Sequence, residues 1–458
     1  MYTFRSHIFL LLLPAFYYVS CRKSSFLDTK PNQALVVPTS ITDCQALLDN
    51  DEVMNGFGNS GYPSLGETGS DDYYTSNALY AYYDQTDQNA CIWAQQVYGS
   101  GTEVEDWDLP YRTVFYSNEV LQVLATITPT SDQQAAWNMA KGSALFFRAF
   151  AFYELSQIFA PAYDSITASS DLGIPQPLSP DVNDKIFRTT VQQTYNQILQ
   201  DLAAATPFLP SLPQGYPTRP CRAAVYGLLA RVYLSARAYS QAGAYADSCL
   251  QLQNSLMNYD TVTQALFPFN RWNAEVIFSA EYYKMTGPAS TGLSLTDSNL
   301  YQSYQPGDLR QSLFFKYGNY FFGRYDQQGY FFCGLATDEL FLTRAECRAR
   351  AGDIPDAMAD LNTLLQARWT NGAFIPLTAA TAEDALQQIL TERRKELLYR
   401  GLRWTDLRRL NKESGRAITL TRIVNGQTYT LPPNDPRYIY PIPENVLAAN
   451  PGMAPNPR

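Results

Sequence analysis

Apolar side chains recur every three to four residues along much of the chain, a period that predicts a mostly α-helical protein. The longest such stretch begins after Ser131, a residue suited to cap a helix, and ends at Pro161, which cannot continue one. The same spacing predicts shorter helices at 41–50, 107–127 and 190–205. Segments rich in Gly, Pro, Ser and Asp separate these helices and are predicted to be loops.

Two later pairs of helices share a set of residues at the same spacing. Small residues at such positions let antiparallel helices approach closely, as they do in tetratricopeptide repeats. We therefore predict helical repeats at about 131–251 and about 337–410. The matched residues are Arg231, Ala236, Arg237, Ala238, Ala244 and Asp247 in the first pair, and Arg344, Ala349, Arg350, Ala351, Ala357 and Asp360 in the second.

The chain outside the repeats lacks a helical period. A loop-rich part is predicted at about 41–130, and an irregular insert with many aromatic residues at about 270–336. In the C-terminal part, 411–458, Asn425 and Gly426 lie between two short segments with strand-like composition, which predicts a β-hairpin followed by a tail.

These patterns together predict one domain at 41–458. Its fold class is mostly α, with tetratricopeptide-like helical repeats, an irregular loop-rich layer and a few short strands. A chain of this length is ample for a large buried core.

Residues 1–20 have the pattern of a secretory signal peptide, in which a basic start precedes a short apolar run. The apolar run is too short to span a bilayer. The Ser20-Cys21 step that follows is similar to a lipobox, so we predict cleavage before Cys21 and lipidation of its thiol. Plain secretion with a free thiol is the alternative. A polar tether is predicted at 21–40.

Composition narrows the possible chemistry, because the single histidine, His7, lies inside the predicted leader. The mature protein therefore lacks imidazole acid–base catalysis, Ser-His-Asp and Cys-His nucleophile pairs, and His-containing metal sites. The cysteines other than Cys21 form no C-x-x-C pair, which removes support for zinc ribbons and thioredoxin-type redox sites. A net charge of −9 argues against nucleic acid as a partner.

Paired carboxylates are the remaining candidates for catalysis. Asp71 and Asp72 have the residue types that glycoside hydrolysis needs, but adjacent acids in a polar loop are usually solvated or bonded to turn backbone. We therefore predict no enzymatic activity and no cofactor. Weak Ca²⁺ binding stays open for one acidic cluster, which consists of Glu103, Glu105, Asp106 and Asp108.

Several short motifs occur in a particular order along the chain. They are Ser70-Asp71-Asp72-Tyr73, the helical Arg148-Ala149 pair, Asn273-x-Glu275-x-Ile277, Arg344-Ala345-Glu346, the basic run from Glu392 to Arg409, and Tyr440-Pro441-Ile442-Pro443. In this order they resemble the SusD/RagB-like outer-membrane lipoproteins of Bacteroidetes-type bacteria. Two features depart from the family pattern: Arg400 stands where an acid is usual, and no acidic cluster follows Cys21.

The resemblance implies a protein anchored in the outer membrane by lipid on Cys21 and facing the cell exterior. Such proteins act as lids on a SusC-like TonB-dependent transporter, capture a nutrient and release it into the barrel. The helical repeats would be the scaffold, and the irregular layer would carry the ligand site. We expect the ligand to be an oligosaccharide, with oligopeptide capture as the alternative and a carboxylate-based glycoside hydrolase as a third possibility.

Aromatic residues are frequent, with 33 Tyr, 24 Phe and 6 Trp, and a tyrosine combines an apolar face with a polar tip. Sugar rings are recognised by such faces together with amide, guanidinium and carboxylate groups that bind the hydroxyls. Two aromatic stretches supply both kinds of group. The predicted ligand-binding residues are Asp72, Tyr73, Tyr74, Tyr82, Trp93, Trp107, Tyr301, Tyr304, Arg310, Tyr320 and Tyr325.

Overall fold

A computed structural model describes residues 38–58, 61–282, 284, 286–290, 292–327 and 329–458. The predicted signal peptide, Cys21 and most of the tether lie outside these residues. The part from Pro38 to Arg458 packs as one compact unit. Among the helices described, none combines the length and the apolar composition that a bilayer span needs.

Helices make up most of the regular structure, which confirms the predicted fold class at this level. In chain order they are α1 Ile41–Leu48, α2 Asp51–Met54, α3 Leu65–Gly69, α4 Asn77–Tyr82, α5 Gln85–Cys91, α6 Glu105–Thr126, α7 Gln134–Phe159, α8 Val191–Ala205, α9 Arg222–Ser235, α10 Tyr239–Leu252, α11 Ser298–Gln302, α12 Leu309–Phe314, α13 Thr337–Arg350, α14 Ile354–Gln366, α15 Ala382–Glu396, α16 Arg403–Leu410 and α17 Glu444–Ala449.

The strands of the described residues are short and pair two by two in small antiparallel sheets. The pairs are β1 with β2, β3 with β8, β4 with β7, β5 with β6, and β9 with β10. Their bounds are β1 Leu172–Pro175, β2 Arg188–Thr190, β3 Val276–Phe278, β4 Glu281–Tyr282, β5 Phe315–Lys316, β6 Tyr320–Phe321, β7 Phe331–Phe332, β8 Leu335–Ala336, β9 Leu420–Val424 and β10 Gln427–Leu431.

The long helix α7 joins the helical part to the irregular layer. It packs against α6 and α8, and from Ala140 to Phe159 nearly all of its side chains are buried. The β3 ring of Phe278 contacts α7 through Phe146 and Phe150, with ring centroids 4.8 and 5.3 Å apart. The strands of the irregular layer are therefore fixed to the helices by aromatic packing.

The helix α7 begins at Gln134 without a side-chain cap, so the predicted cap at Ser131 is wrong. Thr130 to Gln133 form a separate turn, in which the Gln133 N–H donates to the Thr130 carbonyl over 3.1 Å. The helix at 190–205 begins as its sequence predicts, because Thr190 caps α8 and forms a capping box with Gln193.

The two helix pairs that share sequence positions are α9–α10 and α13–α14, and α10 packs against α13. Asp360 of α14 accepts two hydrogen bonds from Arg344, which also donates to Asp247 of α10 over 2.6 Å. The matched acids thus bind the same arginine and connect one pair to the next. Whether the pairs are tetratricopeptide repeats in the strict sense stays a prediction.

Close approach of α10 and α13 depends on Gly243, where an added Cβ would lie 2.9 Å from the Cys347 Cβ. We expect Gly243→Val to lower the free energy of unfolding by about 1–3 kcal/mol, because overpacking forces the helices apart. Ala244, which was predicted to allow the helices to approach closely, lies instead on the exposed side of α10. Ala244→Val is therefore the matched control and is expected to cost below about 1 kcal/mol. Urea denaturation measures both, and equal losses would contradict the packing argument.

The structure confirms the predicted C-terminal hairpin, but it also contains several short helices in regions that were predicted to be loops. Asn425 and Gly426 both have positive φ, 51° and 76°, and connect β9 to β10 in the predicted hairpin. The regions predicted as loops contain helices of four to seven residues, which are too short to show a period. Side-chain caps begin several of them, including Ser76 at α4, Asp84 at α5 and Asp297 at α11.

Candidate ligand-binding site

Two chain stretches that were expected to bind ligand meet on either side of one extended segment. Tyr74 donates its N–H to the Leu295 carbonyl over 2.7 Å, and Thr296 donates its N–H to the Asn319 carbonyl over 2.9 Å. Antiparallel bridges pair Tyr73 with Thr296 and Leu295 with Tyr320. The three segments therefore form a small irregular sheet that joins residues far apart in sequence.

Alternation along these segments decides which side chains face solvent. Tyr73 and Thr296 share one face and are buried. Leu295 and Tyr320 share the opposite face and are partly exposed, and Tyr74 on that face is 52% exposed. Tyr74, Leu295 and Tyr320, named the tyrosine strip below, place two rings on one accessible surface, on either side of Leu295.

A cleft of about 410 Å³ is lined in part by α11, the helix that begins three residues after Leu295 of the tyrosine strip. The Asp297 N–H donates to the Asp72 carbonyl, and the Asp297 carboxylate caps α11, whose residues line the cleft. The lining combines amides, hydroxyls and guanidinium groups with apolar side chains. It consists of Asn299, Leu300, Ser303, Gln387, Leu390, Thr391, Arg394, Arg403, Leu407, Leu410, Asn411, Gly415, Arg416 and Ile418.

Two arginines in the wall of the cleft are held by the paired aspartates. Arg403 donates to both carboxylate oxygens of Asp71, over 2.7 and 2.9 Å, and Arg394 donates to Asp72 over 3.1 Å. Burial alone would raise the pKa of Asp71, but the two guanidinium groups outweigh it and lower that pKa. At Asp72, which is almost fully buried, the loss of solvation outweighs the same two arginines and raises the pKa to about 6. Through these ion pairs the two aspartates position Arg394 and Arg403 in the wall of the cleft.

A third buried carboxyl, Glu67, lies behind this pair. It accepts from the Ser70 hydroxyl and from the Gly401 N–H, each over 3.2 Å. Burial, reinforced by the charge of Asp72, raises the pKa of Glu67 to about 8. The folded protein therefore holds a proton at Glu67 over a range of pH in which the unfolded chain has released it.

Because folding raises this pKa, Glu67 makes the free energy of unfolding fall as pH rises from about 4.5 toward 8. We expect Glu67→Gln, which cannot ionise, to be more stable than the wild type at pH 8 and about equally stable at pH 5. Urea denaturation at both pH values measures the difference. Glu105→Gln, at an exposed position of α6, is the control and should keep the wild-type pH dependence. An unchanged pH slope in Glu67→Gln would contradict the assignment.

Two family models match separate parts of the chain. The model described as "Starch-binding associating with outer membrane" matches residues 25–234, and the model described as "SusD family" matches residues 337–458. The matched stretches together take in more than half of the chain. The chain belongs to the SusD/RagB family. No curated protein sequence matches it.

Solved structures with the SusD-family fold cover nearly the whole chain. A putative sugar-binding protein from Bacteroides vulgatus has a TM-score of 0.72 at 21% identity, with 92% of this chain and 99% of that chain covered. A SusD superfamily protein from Bacteroides thetaiotaomicron has a TM-score of 0.69 at 20% identity, with coverages of 92% and 100%. Surface glycan-binding protein A from Bacteroides fluxus has a TM-score of 0.65 at 18% identity, with the same coverages.

The structure corrects four predicted ligand residues in the N-terminal stretch of this SusD-family protein, because Asp72, Tyr73, Trp93 and Trp107 are at most 5% exposed. Asp72 pairs with Arg394, as described above. The Tyr73 hydroxyl donates to the Thr68 carbonyl, and the Trp93 indole N–H donates to the Gly69 carbonyl over 2.9 Å. Trp107 packs in the core between the rings of Tyr111 and Phe159.

Three residues of the second stretch are corrected for the same reason, since Tyr304, Arg310 and Tyr325 are also buried. The Tyr304 hydroxyl donates to the Lys395 carbonyl, and the Tyr325 hydroxyl donates to Glu275. Arg310 is fully buried and binds carboxylates of the protein itself. None of the three is accessible to a ligand at the surface.

Some of the tyrosines pack against buried arginines. The Arg422 guanidinium lies 4.2 Å from the Tyr73 ring centroid, and that of Arg400 lies 4.7 Å from Tyr325. A buried guanidinium gains from the face of an aromatic ring where water is excluded. Arg400, the departure from the family pattern, also pairs with Asp338 over 3.1 Å, so its charge is satisfied inside the protein.

The remaining predicted residues are accessible, and the structure brings two of them together. Tyr74 and Tyr320 belong to the tyrosine strip. Tyr301 follows the strip on α11 and is partly covered by Phe315, with ring centroids 5.1 Å apart. Tyr82 is 66% exposed at the end of α4, and Asn77 at the beginning of that helix accepts from the Asn425 N–H of the β9–β10 hairpin.

The acidic cluster considered for Ca²⁺ is split by the fold. Asp106 is buried and accepts the N–H of Leu65 over 2.8 Å, whereas Glu103 and Glu105 are exposed. Within the described ranges, no group of three or more His, Cys, Asp or Glu side chains is placed to hold a metal ion. The six cysteines of those ranges are buried and free.

Sequence reasoning missed the polar wall of the cleft. Arg394 and Arg403 lie in the basic run from Glu392 to Arg409, in which Arg393 pairs with Asp406 and Arg409 with Glu346 inside the protein. The one sequence feature that pointed to a role for Arg394 and Arg403 in the site was the Asp71-Asp72 pair. The pair lies more than 300 residues away from these arginines in the chain.

Proposed function

We propose that this protein binds an oligosaccharide at the cell surface without cleaving it and passes it to a SusC-like TonB-dependent transporter. The observation that carries the proposal is the tyrosine strip with its two accessible rings, which the chain joins through Asp297 to α11 and to a cleft lined by guanidinium, amide and hydroxyl groups. Membership of the SusD/RagB family supports it, as do the family description that names starch binding and a neighbour that is a surface glycan-binding protein.

The chemistry of the two surfaces is complementary to a sugar chain. Tyrosine faces contact the apolar C–H face of a pyranose ring, while guanidinium and amide groups donate hydrogen bonds to its hydroxyls. Arg394 and Arg403 are already oriented by the aspartates, so little side-chain entropy is lost when a ligand binds. A preorganised polar wall and accessible tyrosine rings suit a non-catalytic binding site.

We propose that lipid on Cys21 anchors the protein in the outer membrane and that it faces the cell exterior. A lid on a transporter must be tethered yet able to move, and the tether at 21–40 provides that link. Co-purification from detergent-solubilised outer membranes with a TonB-dependent transporter tests the partnership. Recovery of the protein without any such transporter would contradict it.

A binding panel on lipid-free protein that begins after Cys21 tests the ligand class. The panel contains malto-, cello-, xylo- and manno-oligosaccharides of six or seven sugar units, together with unrelated decapeptides. We expect saturable binding of at least one oligosaccharide and its recovery uncleaved. Binding of peptides alone would favour the alternative of peptide capture, and release of shorter sugars would favour a hydrolase.

A further inference from the structure

A second set of accessible rings lies outside the tyrosine strip and its cleft. Phe57, Arg271, Trp272 and Tyr216 stack in a row, here named the aromatic ladder. The Arg271 guanidinium carbon lies 3.7 Å from the Phe57 ring centroid and 5.1 Å from that of Trp272. The Trp272 and Tyr216 centroids are 4.4 Å apart, with 35° between the ring planes.

Ion pairs fix the guanidinium at the base of the aromatic ladder. Arg271 binds Glu281 over 2.7 Å and lies 3.5 Å from Asp51. One of its terminal nitrogens is buried and has no hydrogen-bond partner among the described residues. The guanidinium therefore contacts the faces of the Phe57 and Trp272 rings and also pairs with the two carboxylates. Its contact with Trp272 helps to position that ring.

Backbone contacts hold the loops that carry the rings. The Asn55 side-chain amide donates to the carbonyls of Thr218 and Ser279, over 3.0 and 2.7 Å. The Ser279 N–H in turn donates to the Pro217 carbonyl over 2.7 Å. The segments that carry Phe57 and Tyr216 are thus tied by hydrogen bonds to the strand that leads to Glu281.

The outer end of the aromatic ladder is open to solvent, with Tyr216 63% exposed and Trp272 39% exposed. Large rings held rigidly in water gain free energy when a ligand covers them. Exposed amides precede both rings by two residues, Gln214 before Tyr216 and Asn270 before Trp272. Flat faces with amide groups close by match the alternating C–H faces and hydroxyls of a sugar.

We propose that the aromatic ladder is a second carbohydrate-binding site, in which Tyr216 and Trp272 contact the apolar face of a sugar ring. The proposal rests on the proposed function, because it assumes that the ligand is an oligosaccharide. The two sites share no residue, so each binds sugar when the other is removed. A long glycan chain gains affinity if it contacts both.

Fluorescence titration separates the two sites, since Trp272 is an exposed tryptophan that a bound sugar covers. The oligosaccharide panel is titrated into the wild type, a strip variant (Tyr74→Ala with Tyr320→Ala), a ladder variant (Tyr216→Ala with Trp272→Ala) and the combined variant. Calorimetry replaces fluorescence where Trp272 is absent. Tyr216→Phe with Trp272→Phe keeps the ring faces and is the conservative control.

We expect the strip variant to retain weaker, saturable binding that changes the Trp272 emission. Adding the ladder substitutions is expected to reduce this residual affinity by at least about fivefold, and the phenylalanine variant is expected to restore it. Absence of binding by the strip variant, or residual binding that the ladder substitutions leave unchanged, overturns the second site while the proposed function stands. Absence of binding by the wild type overturns both proposals.

Discussion

Replacing Arg310 with methionine is expected to lower the free energy of unfolding by about 3–5 kcal/mol at pH 7. The guanidinium is fully buried and donates to Asp308, Glu392 and Glu396, with distances between 2.6 and 3.1 Å. Methionine fills a similar volume but leaves these carboxylates with one cation fewer. Lys395 still faces Asp308 and Glu392, so the cluster loses part of its compensation and not all of it.

The loss should depend on pH in a defined direction. Burial raises the pKa of Asp308, but Arg310 outweighs this effect and holds the pKa below its ordinary value. The stability that Arg310 provides is therefore present at neutral pH and is lost as pH falls and the carboxyls take up protons. We expect the deficit of Arg310→Met, measured by urea denaturation, to shrink as pH falls below about 3.8, the ordinary pKa of Asp308.

Arg219→Met is the matched control for Arg310→Met. Arg219 makes an equally close contact with Asp49, but both side chains are at least one-third exposed, so its loss is expected to cost below about 1 kcal/mol. A deficit for Arg310→Met no larger than that of the control would contradict the view that this arginine is structural. It would also reopen Arg310 as a ligand residue.

Local signals in the sequence were sufficient for much of the fold. The Asn425-Gly426 turn predicts its hairpin because few residues adopt positive φ at both central positions. Apolar spacing predicts the helix at 190–205, which the structure has as α8, and the long helix α7. Each of these features is decided by residues within a few positions of one another.

The candidate site depended on contacts that no local pattern records. Tyr73 and Tyr74 are adjacent and chemically identical, yet one is buried under Arg422 and the other is exposed. The difference arises because Leu295 pairs with this segment and fixes which face meets solvent. Arg310 was assigned to the ligand for a similar reason, since its carboxylate partners Glu392 and Glu396 lie more than 80 residues away.

Removing the rings of the tyrosine strip is expected to have the largest effect on binding. Tyr74→Ala with Tyr320→Ala should weaken the affinity for the best oligosaccharide of the panel at least about 30-fold, near 2 kcal/mol. The reason is the loss of two stacking faces beside an intact polar cleft. Tyr74→Phe with Tyr320→Phe keeps the faces and should lose less than the alanine pair, which separates stacking from hydrogen bonding by the hydroxyls.

Stability is not expected to explain this loss, because Tyr74 is half exposed and the ring of Tyr320 is partly exposed. The unfolding midpoint of the alanine pair should stay close to that of the wild type. Phe187→Ala is the control for removing an exposed ring elsewhere, since Phe187 is 63% exposed near β2. It should leave both the affinity and the unfolding midpoint unchanged.

Isothermal titration calorimetry of the best oligosaccharide tests the central claim, that the tyrosine strip and its cleft bind a glycan. The wild type and Phe187→Ala are predicted to bind it with equal affinity, and Tyr74→Ala with Tyr320→Ala to bind it at least about 30-fold more weakly. Wild-type affinity in the folded Tyr74→Ala with Tyr320→Ala protein would contradict the account.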